Sequence, residues 1–206
     1  MIAYASRYYD KLLAATLEHL QIVVITLLVS LALAALLTVA CSYSKRLSRV
    51  LLNLLSMIYS VPSLALLALL IPITGLGRRT AIVALVIYNQ HLLLRNFLAG
   101  LDGVDRGVVE AATGMGMTHL QLLWKVQLPL SKKALIAGLR IALVSTVGIA
   151  TIAASINAGG LGAILFDGLR TMNTAKILWG SLLSAALAVA IDRLLLLVER
   201  KSENSA

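Results

Sequence analysis

Glu110–Pro129 reads EAATGMGMTHLQLLWKVQLP and lies between long apolar stretches of the chain. Ala111 and Ala112 are small enough to let a short helix approach another protein closely, and Gly116 permits a tight turn or a close backbone contact. Glu110 stands where a carboxylate favours the positive end of a helix or a basic partner. Taken alone, these residue types fit a docking segment and an ordinary amphipathic loop equally well.

The composition of the chain is that of a membrane protein. Of its 206 residues 60% are hydrophobic and only 13% are charged, and the mean hydropathy is +0.93. A soluble domain of this size rarely carries so much apolar sequence. The net charge of +9 could indicate nucleic acid or anionic lipid. No basic face with interleaved aromatic residues is present, so we expect topological charge beside a lipid bilayer and no nucleic-acid partner.

Five apolar runs are long enough to cross a bilayer, which takes roughly 20 residues in a helix. They cover about 19–44, 50–77, 80–98, 134–156 and 177–198. The second run contains Pro62 and Pro72, and we expect a kink or break near Pro62 because proline removes a helix hydrogen bond. The spans predict an all-α integral membrane fold.

The distribution of lysine and arginine predicts the orientation of these spans. With the first loop in the cytoplasm, 12 basic residues fall inside and 6 outside. This favours an outer amino terminus and a cytoplasmic carboxyl terminus, and it places Glu110–Pro129 in the cytoplasm. Residues 1–18, which contain Tyr4, Tyr8 and Tyr9, are predicted to form an interfacial segment. Residues 199–206 are predicted to form a cytoplasmic tail.

Four charged residues fall in the inner halves of their predicted spans: Arg95, Arg140, Asp192 and Arg193. Long side chains there can reach the lipid headgroups or pair with one another. The alternative is that one of them provides the counter-charge for a transported solute.

Glu110–Pro129 resembles the EAA loop of bacterial ABC importer permeases. That loop consists of Glu-Ala-Ala, three residues, Gly, nine residues, an aliphatic residue (here Val126), any residue, and Leu-Pro. The resemblance extends over about 19–198 and implies a type I ABC importer permease with five spans. The implied coupling loop covers about 102–131. Ser60–Pro72 and Ile156–Gly162 further resemble the osmoprotectant branch, whose members import glycine betaine, carnitine or choline.

The resemblance also implies roles for individual residues. Leu120, Leu123 and Leu128 have spacings that could anchor the second half of the loop beneath the spans. The residues expected to couple to an ATPase are Glu110, Ala111, Ala112, Gly114, Met115, Gly116, Met117, Leu128 and Pro129. The residues expected along the translocation path are Tyr59, Ser60, Pro62, Ser63, Tyr88, Asn89, Asn157, Gly159 and Gly160.

Two of these expectations depend on particular chemistry. Aromatic faces attract quaternary ammonium groups through cation–π interaction. Tyr59 is the preferred contact because it lies three residues before the break expected at Pro62, and the alternative is an interfacial or packing role. The glycine-rich segment after the fourth span is expected to form a re-entrant turn, although a simple outer loop explains it as well. Asn157 departs from the branch, which has glycine at this position.

The chain is expected to be a permease subunit without enzymatic activity. It contains no Gly-Lys dipeptide, and so lacks the phosphate-binding loop of an ATPase. The resemblance implies two ATP-binding-cassette subunits, a second permease subunit, and an extracytoplasmic binding protein that delivers the solute. ATP and Mg²⁺ are then held by the ATPase, and this chain binds no cofactor or metal itself. The location implied is the bacterial inner membrane. The alternatives left open are an importer of another small solute, such as methionine, and a non-transporting membrane scaffold.

Overall fold

The computed structural model describes residues 2–203, and that part of the chain is helical throughout, without strands. The α-helices, in chain order, are α1 (Ile2–Ser42), α2 (Lys45–Tyr59), α3 (Ser63–Thr74), α4 (Arg78–Asp102), α5 (Arg106–Gly114), α6 (His119–Leu122), α7 (Leu128–Leu130), α8 (Lys132–Ala153), α9 (Leu161–Arg170) and α10 (Thr174–Glu203). A π-helical turn, Leu123–Gln127, joins α6 to α7, and a 3₁₀ turn, Ala154–Ile156, follows α8.

Four helices among the described residues are long and apolar enough to cross a membrane. They contain the segments Tyr4–Ser42, Arg78–Asp102, Lys132–Ile156 and Thr174–Arg200. Helices α2 and α3 meet the same test together, but they are bent by 98° at the short break between them. Counting this bent pair as one gives the five spans predicted, and the break lies at the predicted position beside Pro62.

The amino-terminal segment is continuous with the first span. Helix α1 begins at Ile2 and contains one non-helical residue at Tyr8, with φ −126° and ψ 25°. The helix is therefore not interrupted at residue 18, where the interfacial segment was expected to end. Arg7 and Lys11 lie 5.8 and 5.3 Å from the centre of the Tyr8 ring, which is typical of an aromatic residue near lipid headgroups.

Helix α4 lies at the centre of the bundle, packed against α1, α2, α3 and α8. Its buried Asn89 donates to the hydroxyl groups of Ser30 (3.3 Å) and Thr146 (2.9 Å), which joins α4 to α1 and α8. Gln90 donates to the backbone carbonyl of Ser30 (3.3 Å). In a lipid-exposed protein such polar groups need partners inside the bundle, and here they tie three helices together.

Small residues bring α4 and α8 into close contact near the ends that flank the predicted coupling loop. A Cβ added at Gly138 would lie 2.5 Å from the Cβ of Asn96, and one added at Gly100 would lie 2.8 Å from the Cβ of Ala134. No side chain larger than hydrogen fits at either glycine without a shift. The two helices that flank the predicted coupling loop are therefore packed tightly together.

Helix α9, which forms a hairpin with α10, was not predicted. We expected only a turn after the fourth span, but Leu161–Arg170 forms a two-to-three-turn helix that packs on α10. Asp167 in α9 accepts from Lys176 Nζ at 2.6 Å and from Arg170 at 3.0 Å. The pKa of the Asp167 carboxyl lies below its ordinary value, mainly because of the hydrogen bond from Lys176 and then because of the one from Arg170.

The carboxyl-terminal helix is tied to α8 by ion pairs. Arg140 contacts Asp192 at 2.8 Å and Glu199 at 3.0 Å. Two of the charges expected to reach the headgroups or pair with each other, Arg140 and Asp192, thus form a pair. Helix α10 runs on to Glu203, and so the first part of the predicted tail is helical; residues 204–206 lie outside the described part.

Candidate functional site

The predicted coupling loop begins with a short, well-capped helix. Asp105 precedes α5 and accepts hydrogen bonds from the backbone N–H groups of Gly107 (2.8 Å) and Val108 (3.2 Å). These bonds satisfy donors that the first turn of a helix leaves free. Helix α5 ends at Gly114, and Gly116 follows in the left-handed region with φ +82°. The tight turn expected at Gly116 is present.

A second cap begins the other half of the loop. Thr118 and Gln121 form a reciprocal capping box at the start of α6. Thr118 Oγ1 accepts from the backbone N–H of Gln121 (3.3 Å), and the Gln121 side chain accepts from the Thr118 N–H (2.9 Å). The chain is therefore turned sharply between α5 and α6 by one glycine and one capping box.

The turn presents small and apolar side chains on the surface. Ala112 is buried against the rest of the loop, whereas Ala111 and Glu110 are exposed. Met115 is 73% exposed and Trp124 is 62% exposed, with Val108 and Leu120 exposed as well. Among the other predicted coupling residues, Gly114, Gly116 and Pro129 are exposed, and Met117 and Leu128 are half-buried. A cluster of exposed large apolar residues indicates a protein or membrane contact.

The loop is anchored to the carboxyl-terminal end of the first span. His119 Nε2 lies 3.0 Å from the hydroxyl of Ser42, and its ring centre lies 4.4 Å from that of Tyr43. Leu122 and Leu123 are the buried leucines of the second half. The expectation that Leu120 anchors this half was wrong, because its side chain is 45% exposed; Leu128 is only half-buried. Leu123 is the first residue of the π-helical turn.

A cavity of about 760 Å³ lies between the loop, the carboxyl-terminal ends of α1 and α4, and the start of α2. Its charged lining residues are Lys45, Arg49, Asp102, Arg106 and Glu110. No ion pair joins these side chains within the described part of the chain. Glu110 thus lines a cavity that also contains basic side chains.

Two of the predicted path residues meet at the break between α2 and α3. The Tyr59 and Tyr88 rings pack edge to face with centres 5.6 Å apart, and the His91 ring stacks on Tyr59 at 4.9 Å. Tyr88 is buried, and its hydroxyl donates to the Val61 carbonyl at 2.7 Å. This bond gives a partner to a backbone carbonyl freed by the break, which is required at membrane depth.

The break itself is open on one side. Ser60 and Pro62 are exposed, and Ser63 is half-buried. The Ser60 hydroxyl donates to the Met57 carbonyl at 2.7 Å, so it is occupied within its own helix. Tyr59 is 37% exposed, and its side chain is therefore the aromatic group that the break presents outward.

Three other predicted path residues form the turn after α8. Asn157, Gly159 and Gly160 all have positive φ, of 64°, 85° and 72°. Asparagine tolerates the left-handed conformation better than other residues with a side chain. The departure from glycine at Asn157 therefore leaves the shape of the turn intact.

This turn is packed against α1. The Glu18 carboxylate accepts from the backbone N–H of Gly160 at 3.0 Å. A Cβ added at Gly160 would lie 2.9 Å from His19 Nδ1, and His19 is fully buried with Nε2 lying 3.2 Å from the Val147 carbonyl. Glycine is required at this position because the α1 side chains leave no space.

Asn89 lies apart from the other predicted path residues. It is buried among α1, α4 and α8, where it bonds Ser30 and Thr146. Its bonds within the subunit account for its polarity. Two residues that sequence reasoning assigned no site role, Glu18 and His91, lie in the two clusters instead. Glu18 immediately precedes the first charge-free run, and no local pattern links it to a glycine 142 residues away.

The helical bundle and the exposed loop between α4 and α8 define a class: the membrane permeases with the type I ABC importer fold. The chain belongs to the family of binding-protein-dependent transport system inner membrane components, whose model matches residues 30–204. It is therefore a multi-pass membrane protein and a permease subunit.

Two relatives and one solved structure illustrate the similarity. The chain is 36% identical over 182 residues to the carnitine transport permease protein OpuCB of Listeria monocytogenes, covering 88% of this chain and 84% of the relative. It is 34% identical over 201 residues to the glycine betaine/carnitine/choline transport system permease protein OpuCB of Bacillus subtilis (strain 168), covering 98% and 93%. The inward-facing MetNI methionine ABC transporter matches with a TM-score of 0.86 at 23% identity, covering 93% of this chain and 95% of that chain. At that identity the structural match shows the fold alone.

Proposed function

We propose that this chain forms the translocation path of an ATP-driven importer for a quaternary ammonium osmoprotectant such as glycine betaine, carnitine or choline. The observation that carries the coupling role is the exposed corner of α5, where Ala111 and the 73% exposed Met115 stand beside the left-handed Gly116. The similarity to permeases named for these three solutes supports the choice of cargo.

The corner of α5 has the properties of a docking surface for an ATPase. A short helix that exposes a side chain as small as Ala111 can enter a cleft of another protein without steric conflict, and Met115 adds a flexible apolar contact. The ATPase holds ATP and Mg²⁺, and this chain supplies no nucleotide-binding residue. The excess of basic residues on the loop side supports a cytoplasmic position for the corner, with the amino terminus outside.

The importer requires partners beyond the ATPase. One bundle of five spans is too small to enclose a path, and a second permease subunit, identical or similar, completes it. Two ATPases dock on the two coupling loops, and an extracytoplasmic binding protein delivers the solute at the outer side. Nucleotide and loaded binding protein then shift the population between inward-open and outward-open states.

Solute-stimulated ATP hydrolysis tests this function. The permease is purified with the ATP-binding-cassette subunits that accompany it, reconstituted in vesicles, and supplied with its binding protein and one solute at a time. We expect betaine, carnitine or choline to stimulate hydrolysis, because only the loaded binding protein favours the state in which the ATPases close. Methionine serves as the comparison solute.

Two controls make the result specific. Omitting the binding protein removes the stimulation, and a permease with Met115→Glu in the loop should lose it while still inserting into the membrane. Stimulation by methionine alone would replace the osmoprotectant cargo with the alternative one. Hydrolysis that no binding protein or solute alters would contradict the importer function.

A further inference from the structure

The Tyr59 ring at the break between α2 and α3 is held in place on one side and open on the other. His91 stacks on it at 4.9 Å, and Tyr88 packs against it edge to face at 5.6 Å. Both neighbours are buried, at 7% and 3% exposure, whereas Tyr59 is 37% exposed. The accessible part of this three-ring cluster is thus the side of Tyr59 that His91 and Tyr88 leave uncovered.

The cluster is fixed before any ligand arrives. The Tyr88 hydroxyl donates to the Val61 carbonyl at 2.7 Å, which ties α4 to the residue that follows the break. Tyr88 also belongs to a core cluster with Leu66, Leu67 and Ala158, from α3 and the turn after α8. An aromatic surface whose supporting rings are already immobilised loses little conformational entropy on binding.

An aromatic surface in this position favours one kind of cation. No aspartate or glutamate occurs between Glu18 and Asp102, so α2, α3 and most of α4 offer a cation no carboxylate. Attraction to a ring face then has to supply the binding, and it suits a large, weakly hydrated quaternary ammonium group. A small, strongly hydrated ion would lose its water without replacement.

Arg95 lies one helical turn after His91 on the same face of α4. Its side chain is exposed, and among the described residues no ion pair includes it. The contrast is Arg140, whose charge is matched by Asp192 and Glu199. Arg193 is also exposed, but it lies on α10, away from the three rings. A cation left without a protein partner at this depth is a candidate to receive an anionic group from a solute.

We propose that Tyr59, supported by His91 and Tyr88, and Arg95 form a site for a quaternary ammonium carboxylate. The ring of Tyr59 contacts the trimethylammonium group, and the Arg95 guanidinium contacts the carboxylate. This inference rests on the proposed osmoprotectant cargo and adds a selection rule to it. Betaine and carnitine carry both groups and use the whole site, whereas choline lacks a carboxylate and uses only the ring.

The rule is tested by maximal uptake rates with saturating loaded binding protein, so that capture by the binding protein does not limit the rate. For Arg95→Gln we expect uptake of betaine and carnitine to fall about tenfold relative to uptake of choline, the size of one charge-assisted hydrogen bond. Arg95→Lys keeps the charge and should recover part of the loss. Arg193 is an exposed cation on α10, away from the three rings. Arg193→Gln should leave the ratio of betaine and carnitine uptake to choline uptake at its wild-type value.

A second pair of variants tests the ring. Tyr59→Leu should slow uptake of all three solutes about fivefold, because the cation–π contribution is lost. Tyr59→Phe keeps the ring face and should retain most of the uptake. A purely structural role of Tyr59 would instead lower the amount of assembled complex, which is measured separately.

The outcomes separate this site from the proposed function. If the wild-type importer moves betaine and choline, but Arg95→Gln changes both equally or neither, the site is overturned and the cargo stands. A Tyr59→Leu variant with wild-type rates overturns it as well. If the wild-type importer moves none of the three solutes, the cargo assignment itself fails, and this site fails with it.

Discussion

At the scale of single residues, the sites depend on backbone conformations that few side chains tolerate. Gly116 has φ +82° in the coupling loop, and Asn157 has φ 64° in the outer turn. The left-handed region costs an ordinary residue roughly 1–2 kcal/mol, which glycine avoids and asparagine partly avoids. Both residues therefore set the direction of the chain through backbone conformation.

Gly116 offers a matched test, because its neighbour Gly114 differs in one respect. A Cβ added at either glycine meets no atom within 4 Å, but only Gly116 has a positive φ. We expect Gly116→Ala to destabilise the turn by about 1–2 kcal/mol and to lower solute uptake severalfold. Gly116→Asn should lose less, and Gly114→Ala should transport at the wild-type rate.

The measurement is uptake into vesicles at equal amounts of inserted permease. Equal loss in Gly114→Ala and Gly116→Ala would mean that the bare surface, and not the backbone conformation, matters for coupling.

Some expectations for single residues agreed with the structure, and others did not. The tight turn at Gly116 was one of two conformations expected there, and pairing was one of two expectations for the charged group that contains Arg140 and Asp192. The choice of Leu120 as an anchor was wrong, because α6 buries Leu122 and leaves Leu120 45% exposed. The contact of Glu18 with Gly160 could not be predicted. The two residues are far apart in the chain, and the hydrogen bond joins the Glu18 carboxylate to the backbone N–H of Gly160.

At the scale of helices, the break at Pro62 was predicted and α9 was not. Proline next to a long apolar run is a strong local signal, and the 98° bend confirms it. Helix α9 is amphipathic and only ten residues long, and sequence analysis treated its first residues as part of a turn. Its position is set by close glycine contacts with α10 at Gly168 and Gly180, which local sequence does not show.

The α9–α10 hairpin should respond to acid through Asp167. Its pKa is held below the ordinary value by the hydrogen bonds from Lys176 and Arg170. A carboxyl with a lowered folded-state pKa stabilises the fold above its unfolded-state pKa, and that stabilisation is lost as pH falls through the folded value. We expect the difference in thermal midpoint between wild type and Asp167→Asn to be constant near neutral pH and to shrink below about pH 4.

Thermal unfolding of the purified permease in detergent between pH 6 and pH 3 provides the measurement. A difference that stays constant over the whole range would show that Asp167 does not contribute through its charge.

At the scale of the whole molecule, apolar run lengths were sufficient to predict the spans and their number. They could not predict how the spans pack, because Asn89, Gln90 and the glycines of α4 and α8 act through pairwise contacts. The predicted orientation, with the amino terminus outside, rests on the distribution of lysine and arginine and stays a prediction.

Labelling of single cysteines can decide the orientation. In a Cys41→Ala background, we expect Met172→Cys, at an 86% exposed position beyond α9, to react with a membrane-impermeant maleimide in intact cells. Met115→Cys, at a 73% exposed position in the coupling loop, should react only after the membrane is made permeable. The reverse pattern would place the loop outside the cell and remove its role in coupling.

The close crossings of α4 and α8 at Gly100 and Gly138 have a mechanical consequence. The coupling loop leaves the bundle from one of these helices and returns to it through the other, so both ends of the loop are attached to a single stiff strut. The loop is therefore expected to move together with α4 and α8. A force on the loop then tilts this helix pair as one body, and the bending that allows the tilt occurs elsewhere, at breaks such as the one beside Pro62.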